Sequence, residues 1–222
     1  MESGKSKDEI AEAYSSEPWW YDLRGFFILT FAYNSTITSQ LRFFSRNFGQ
    51  NHIEVACGTG TLLELVLRWR KLKNLPEVNI VGIDYAPSML AGAKKRFAKN
   101  NRIQIQHGDA ANLPFREGTF DTANIANSVH CFPAVDEAFR DIFRILKPGG
   151  TLAANVLLYP SGIQPLRYIA TRINDWGIRK GILYTPYKRE DVRNRLVAIG
   201  FEIIEEFESG NTYNVVARKA SL

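Results

Sequence analysis

Cysteine is scarce in this 222-residue chain, which has two, Cys57 and Cys131. Two thiols make no disulfide framework, and the chain reads as a protein of a reducing compartment. Long apolar runs are missing too. The longest, Gly25 to Tyr33, falls far short of the roughly 20 residues that a membrane-spanning helix needs. Residues Met1 to Glu9 are charged and polar, unlike a signal peptide, so a cytoplasmic location is expected. His52, His107 and His130 stand apart from one another and from the cysteines, except for the neighbours His130 and Cys131. No metal-ligand spacing results, and no metal is expected. Internal repeats and low-complexity segments are also lacking.

What is present suits one packed domain. Hydrophobic residues make up 45% of the chain and aromatics 12%, enough for a single core at this length. From His52 onward, short apolar strands alternate with amphipathic helices, the signature of a parallel sheet. Strands are expected at 52–56, 79–84, 103–106, 119–126 and 151–157. Helices are expected at 61–71, 88–99, 135–146 and 189–199. Pro148-Gly149-Gly150 should stop the 135–146 helix. Residues 160–187 interrupt the pattern with prolines, glycines and a helix at 166–176. Two strands, 201–207 and 213–218, close the chain. Residues 8–48 read as helices, two of them at 26–31 and 41–48.

The most informative stretch is Glu54-Val55-Ala56-Cys57-Gly58-Thr59-Gly60, with Asp84 following at the end of the next strand. Glycines in a strand-to-helix turn let a ligand come close to the backbone. The helix behind them offers free N–H groups. A carboxylate some 20 residues on is placed to accept hydrogen bonds from ribose hydroxyls. The dinucleotide fingerprint requires a further glycine where Leu63 stands, so it fails. The unit binds a nucleoside of another kind.

The acidic-x-Ala-x-Gly-x-Gly pattern resembles motif I of the class I S-adenosylmethionine (SAM) dependent methyltransferases. Further matches follow in order. They are Asp84, then Gly108-Asp109-Ala110-Ala111-Asn112-Leu113-Pro114-Phe115, then Phe120-Asp121, then Leu146-Lys147-Pro148-Gly149-Gly150. The match is close over residues 50–157 and loose over 188–219. Ala56 replaces the usual first glycine and Glu54 the commoner aspartate. The resemblance implies an α/β fold: a three-layer Rossmann-like methyltransferase sheet with an antiparallel last strand and an N-terminal helical cap. Residues 1–50 would form the cap or lid, and 51–222 the SAM-binding domain with an insertion near 160–187. The implied cofactor is SAM, giving S-adenosylhomocysteine (SAH). Its expected contacts are Glu54, Ala56, Gly58, Thr59, Gly60, Asp84, Tyr85, Asp109, Ala110 and Asn127. Within the family, the segments 109–115 and 147–150 look most like the small-molecule branch that includes ubiquinone, menaquinone and phospholipid methyltransferases.

His130, just past the fourth strand, is the candidate general base, because an imidazole can accept a proton from a hydroxyl, thiol or amine. A packed structural histidine is the competing reading. Tyr14, Trp19, Trp20 and Tyr21 are expected to cover the site or simply to pack the helices. The acceptor is expected to be a small hydrophobic or aromatic molecule. RNA or protein methylation is an alternative that the basic balance allows, but no Asn-Pro-Pro-Tyr-like motif follows the fourth strand and no RNA-binding module is appended. A non-catalytic SAM-binding protein is another. The charge also has a pattern. Between Leu166 and Arg195 eight basic residues face three acids, an excess equal to the net charge of +5. Such a stretch is ordinarily a solvated helical face. It could also attract an anionic acceptor, a lipid surface or nucleic acid.

Overall fold

The computed structural model describes residues 30–221 apart from 181, 182, 184 and 185, together with Glu9 and Ile28. Seven strands form one sheet: β1 (Asn51–Val55), β2 (Asn79–Asp84), β3 (Ile103–His107), β4 (Phe120–Ile125), β5 (Leu146–Leu157), β6 (Phe201–Ser209) and β7 (Thr212–Lys219). Their order across the sheet is β3-β2-β1-β4-β5-β7-β6. The first five pair in parallel, while β7 runs antiparallel between β5 and β6. The helices are α1 (Ile37–Phe44), α2 (Thr61–Leu72), α3 (Pro87–Phe97), α4 (Val135–Ile145), α5 (Leu166–Lys180) and α6 (Arg189–Ile199). This is the expected three-layer α/β architecture with its antiparallel strand.

The period of two along each strand sorts side chains onto two faces. Ile53 and Val55 of β1, Ala123 and Ile125 of β4, and Leu152 and Ala154 of β5 face α4 and α6 in the largest core cluster, where Phe139, Ile142, Val192 and Leu196 meet them. The alternate residue of β5, Ala153, meets α1 and α2 through Phe43, Phe44 and Val66. Phe43 and Phe44 are buried, so α1 is packed into the layers of the domain. Arg70 of α2 fixes the passage from α1 to β1. It donates to the carbonyls of Ser45 at 2.6 Å and Pro76 at 2.9 Å, and its guanidinium lies over Phe48. Phe48 in turn stacks on His52.

Helix α4 ends at Ile145, ahead of Pro148-Gly149-Gly150 as expected, but β5 begins already at Leu146, upstream of its expected start at Thr151. Leu146 pairs with Phe120 and Thr151 with Thr122, so four residues of β5 bulge opposite Asp121 alone. Two contacts hold the bulge. Lys147 Nζ donates to Asp121 Oδ1 at 2.6 Å. A Cβ at Gly150 would lie 2.9 Å from the Lys147 carbonyl and 3.0 Å from that of Asp121, so only glycine fits. A bulge adds residues to a strand without ending it, and the local sequence of a bulge looks like that of a turn. Elsewhere α1 starts earlier than expected and α5 runs on to Lys180.

Candidate functional site

The register aligns the strand ends that carry the motifs. Val55 sits opposite both Ile83 and Ile125, and Asp84 opposite His107. The turns that follow these residues therefore share one edge of the sheet, its carboxyl edge, where ligands of such folds bind.

After β1 the chain takes left-handed backbone at Ala56 (φ 55°), Gly58 (φ 57°) and Gly60 (φ 76°). Ala56 bears the steric cost of that conformation, about 1–2 kcal/mol, which a glycine would not. Asp84 holds the turn. It accepts from the Gly58 N–H at 2.8 Å through Oδ2 and from the Ala86 N–H at 2.9 Å through Oδ1. Burial pushes its carboxyl above the ordinary value, while the N–H groups of Ala86, Gly58 and Tyr85 pull it back. Three N–H groups on the two oxygens leave the carboxylate one further acceptor position, open to a ribose hydroxyl. Glu54 is buried near the end of the neighbouring strand, β1, and accepts from His52 Nε2 at 3.2 Å through Oε2, leaving Oε1 bonded to no described residue. Two acceptors beside a turn rich in left-handed residues and a helix N-terminus fit the ribose and amine of SAM.

The segment 108–115 is stapled to α4. Asp109 makes a local turn, accepting from the Ala111 N–H at 3.0 Å through its side chain and from the Asn112 N–H at 3.0 Å through its carbonyl. Arg144 donates to the carbonyls of Phe115 at 2.6 Å and Leu113 at 3.0 Å, and Asp141 accepts from the Leu113 N–H. Asp141 and Arg144 had no sequence signal beyond their helical face. Tyr85 packs against His107 with ring centroids 5.1 Å apart, and Ala110 packs on the main core. Thr59 is buried, and its hydroxyl bonds Thr61 at 3.0 Å. At Gly60 a Cβ would meet the Phe97 ring at 2.5 Å, so its glycine serves the α2–α3 packing as well as the turn.

Asn127, placed among the cofactor contacts by sequence, has its side-chain amide engaged within the protein. It exchanges two 2.9 Å hydrogen bonds with the Gln40 amide, and Asn155 Nδ2 donates to its Oδ1 at 2.8 Å. Its own N–H donates to Asn155 Oδ1 at 2.6 Å. These bonds tie α1 to the ends of β4 and β5, which suits a left-handed residue (φ 55°) that must be held in place.

His130 lies in a single 3₁₀ turn, Val129–Cys131, after β4. Its Nδ1 shares a 2.9 Å hydrogen bond with the buried Tyr33 Oη. Tyr33 escaped the sequence reading because its partner is 97 residues away. Burial drives the His130 pKa from 6.5 down to about 4. The ring is therefore neutral at pH 7. The sign of the consequence follows: the unfolded chain takes the proton below 6.5, the native chain only below about 4. Stability is thus full above 6.5 and drains as the pH falls towards 4, by about 2 kcal/mol between pH 7 and pH 5. His52, also buried, is lowered and acts in the same direction. Urea titrations at the two pH values should show His130→Gln removing about that much of the pH dependence; an unchanged slope would refute the buried neutral ring. Cys57 is raised well above its usual value by burial and by Asp84 and Glu54, so it is a poor nucleophile. Tyr14, Trp19, Trp20 and Tyr21 lie outside the described residues.

Residues 53–154 match the family model described as a methyltransferase domain, over the very strands and turns that build this site. That matched segment is a methyltransferase domain, and the chain around it has the fold of the class I SAM-dependent methyltransferases. The cofactor of the family is SAM. The demethylmenaquinone methyltransferase of Thermus thermophilus is 37% identical over 109 residues, which are 49% of this chain and 46% of that protein. The chain thus spans about half the length of the curated relatives it matches. Among solved structures, phosphoethanolamine N-methyltransferase 2 of Haemonchus contortus in complex with SAM superposes with a TM-score of 0.64 at 16% identity, covering 83% of this chain and 53% of that one. The [4+2]-cyclase SpnF superposes equally well, with a TM-score of 0.64 at 19% identity over 83% of this chain and 81% of that one. At such identities the chain shares a fold with these proteins, and the fold serves more than one chemistry.

Proposed function

We propose that this methyltransferase transfers the methyl group of SAM to a small hydrophobic or aromatic acceptor, of the quinol class named for its demethylmenaquinone relatives. The observation that carries the reading is the joining of Gly58 and Asp84 by a 2.8 Å hydrogen bond at the carboxyl edge, with the stapled Asp109 turn beside them. When bound there, SAM supplies a methyl group on a cationic sulfonium, already activated for in-line attack. Asp84 and Glu54 hold the nucleoside and amino ends. Asp109 and Ala110 border the base. Orientation of this kind supplies most of what methyl transfer requires of a protein.

The acceptor atom loses a proton as it gains the methyl. In this reading His130 receives it. If its Nδ1–H donates to Tyr33 Oη, Nε2 is left bare as the acceptor, and that nitrogen makes no hydrogen bond with the described residues. Tyr33 is then a positioning residue that sets the tautomer. We include residues 1–50 in this reading as the cover of the site, with Tyr14 and Trp19–Tyr21 excluding water.

The test is transfer of tritiated methyl from SAM to naphthoquinols, simple phenols, RNA and protein in parallel. Label in the quinol fraction, reduced in His130→Gln with SAH affinity unchanged, is the expected result. Label confined to RNA or protein would refute the acceptor class. SAH binding without turnover on any acceptor would mark a binding protein.

A further inference from the structure

The basic stretch resolves into two unlike helices. On α6, Arg189 pairs with Glu206 at 3.1 Å, Arg193 with Glu206 at 3.4 Å and Arg195 with Asp136 at 2.6 Å. Acids of β6 and α4 thus offset much of its charge. On α5, Arg167 and Arg172 are exposed and have no acidic partner among the described residues. Among the described residues, the Arg179 side chain bonds only the Asp175 carbonyl, at 3.2 Å.

The same helix exposes apolar side chains. Ala170, Asn174 and Gly177 are its buried residues, spaced along one side. Away from that side, Ile169 and Trp176 stand seven residues apart in one row, exposed at 37% and 38%. Arg172 and Arg179, also seven apart, form the adjacent row. The turn that leads into α5 carries Ile163, which is 81% exposed, and Leu166 at the helix start is 44% exposed. An isolated exposed leucine is unremarkable in any protein, but a cluster flanked by unpaired arginines is not.

We propose that α5 and its leading turn form a docking surface for an anionic lipid bilayer. Arginines attract the lipid headgroups, and the aliphatic and indole side chains enter the interface below them. The apolar members discriminate between anionic partners. Ile163 and Leu166 offer nothing on which a base can stack, whereas a bilayer accepts them directly. The surface adjoins the candidate site: Ile173 of α5 packs on the cluster of Tyr33, Leu157 and Leu183. A docked chain would therefore present its site close to the membrane. This proposal does not depend on the acceptor or on turnover.

The experiment is flotation of the full chain with vesicles of phosphatidylglycerol and phosphatidylcholine, and with phosphatidylcholine alone. Binding to the anionic vesicles that weakens with added salt is expected. Charge reversal at two sites near a surface of this kind, Arg172→Glu with Arg179→Glu, should lower vesicle affinity by about tenfold or more. Ile163→Ser with Trp176→Ser should lower it with little change in its salt dependence. SAH calorimetry, expected to be unchanged in both variants, shows that they fold. No wild-type flotation, or flotation equal in the folded charge-reversed protein, overturns the proposal. So does a dimer that the same substitutions dissociate, or preferential binding to RNA, since each gives the surface another occupant.

Discussion

Asp84→Ala should weaken binding of SAM and SAH by on the order of 4 kcal/mol, about a thousandfold, while the protein stays folded. Two losses combine. The carboxylate is the charged acceptor available to the ribose diol, and each such hydrogen bond contributes about 1.5–3 kcal/mol. It also anchors the turn itself, through the Gly58 and Ala86 N–H groups. Without it, the left-handed backbone at Gly58 has no partner on β2. Asp84→Asn separates the two parts. The amide oxygen can keep one N–H bond, but the amide nitrogen faces another donor, so a partial loss is expected. Calorimetry with SAH measures both, and circular dichroism checks the fold. An affinity within about threefold of wild type in folded Asp84→Ala would remove Asp84 from the site.

Gly60→Val should destabilise the whole domain by about 3–5 kcal/mol and abolish SAH binding with it. The backbone there has φ 76°, and a Cβ would stand 2.5 Å from Phe97 Cε2. Phe97 cannot easily yield, because it is packed with Leu63, Val78, Ile80 and Ile103. Gly118 provides the control. It has a similar φ of +63° but open space where a Cβ would go. Gly118→Ala should therefore cost only the backbone strain, about 1–2 kcal/mol. Urea unfolding of the two variants measures the difference. Equal losses would mean that the contact with Phe97 adds nothing.

The site was legible in the sequence wherever one short segment carries the whole requirement. The motif I turn needs left-handed residues in a fixed order, so its glycines show. Asp84 is marked by its place at the end of an apolar strand, and Asp109 by the segment around it. Residues Lys147–Gly150 were left out of the fifth strand because a proline and two glycines mark a bulge no differently from a break between elements. The hydrogen bonds of the Asn127 side chain were not legible, because Gln40, its partner 87 residues away, leaves no local trace. Tyr33 was passed over for the same reason. The charge on α6 looked free because the acids that offset it belong to β6 and α4.

The sequence alone determined the alternation of strands and helices, and two elements, Asn79–Asp84 and Arg189–Ile199, coincide with their expected limits. Such limits follow from periodicity and from breakers such as Pro87 and Gly200, which act within a few residues. Resemblance to a family, rather than any local pattern, supplied the antiparallel last strand. Only the tertiary structure decided how α1 is tied to the sheet through Gln40, which tyrosine meets His130, and which arginines keep their charge to solvent. Those outcomes depend on how distant segments come into register. Hydrogen bonds and ion pairs are made between atoms a few ångströms apart, and separation along the chain says little about which of them will meet.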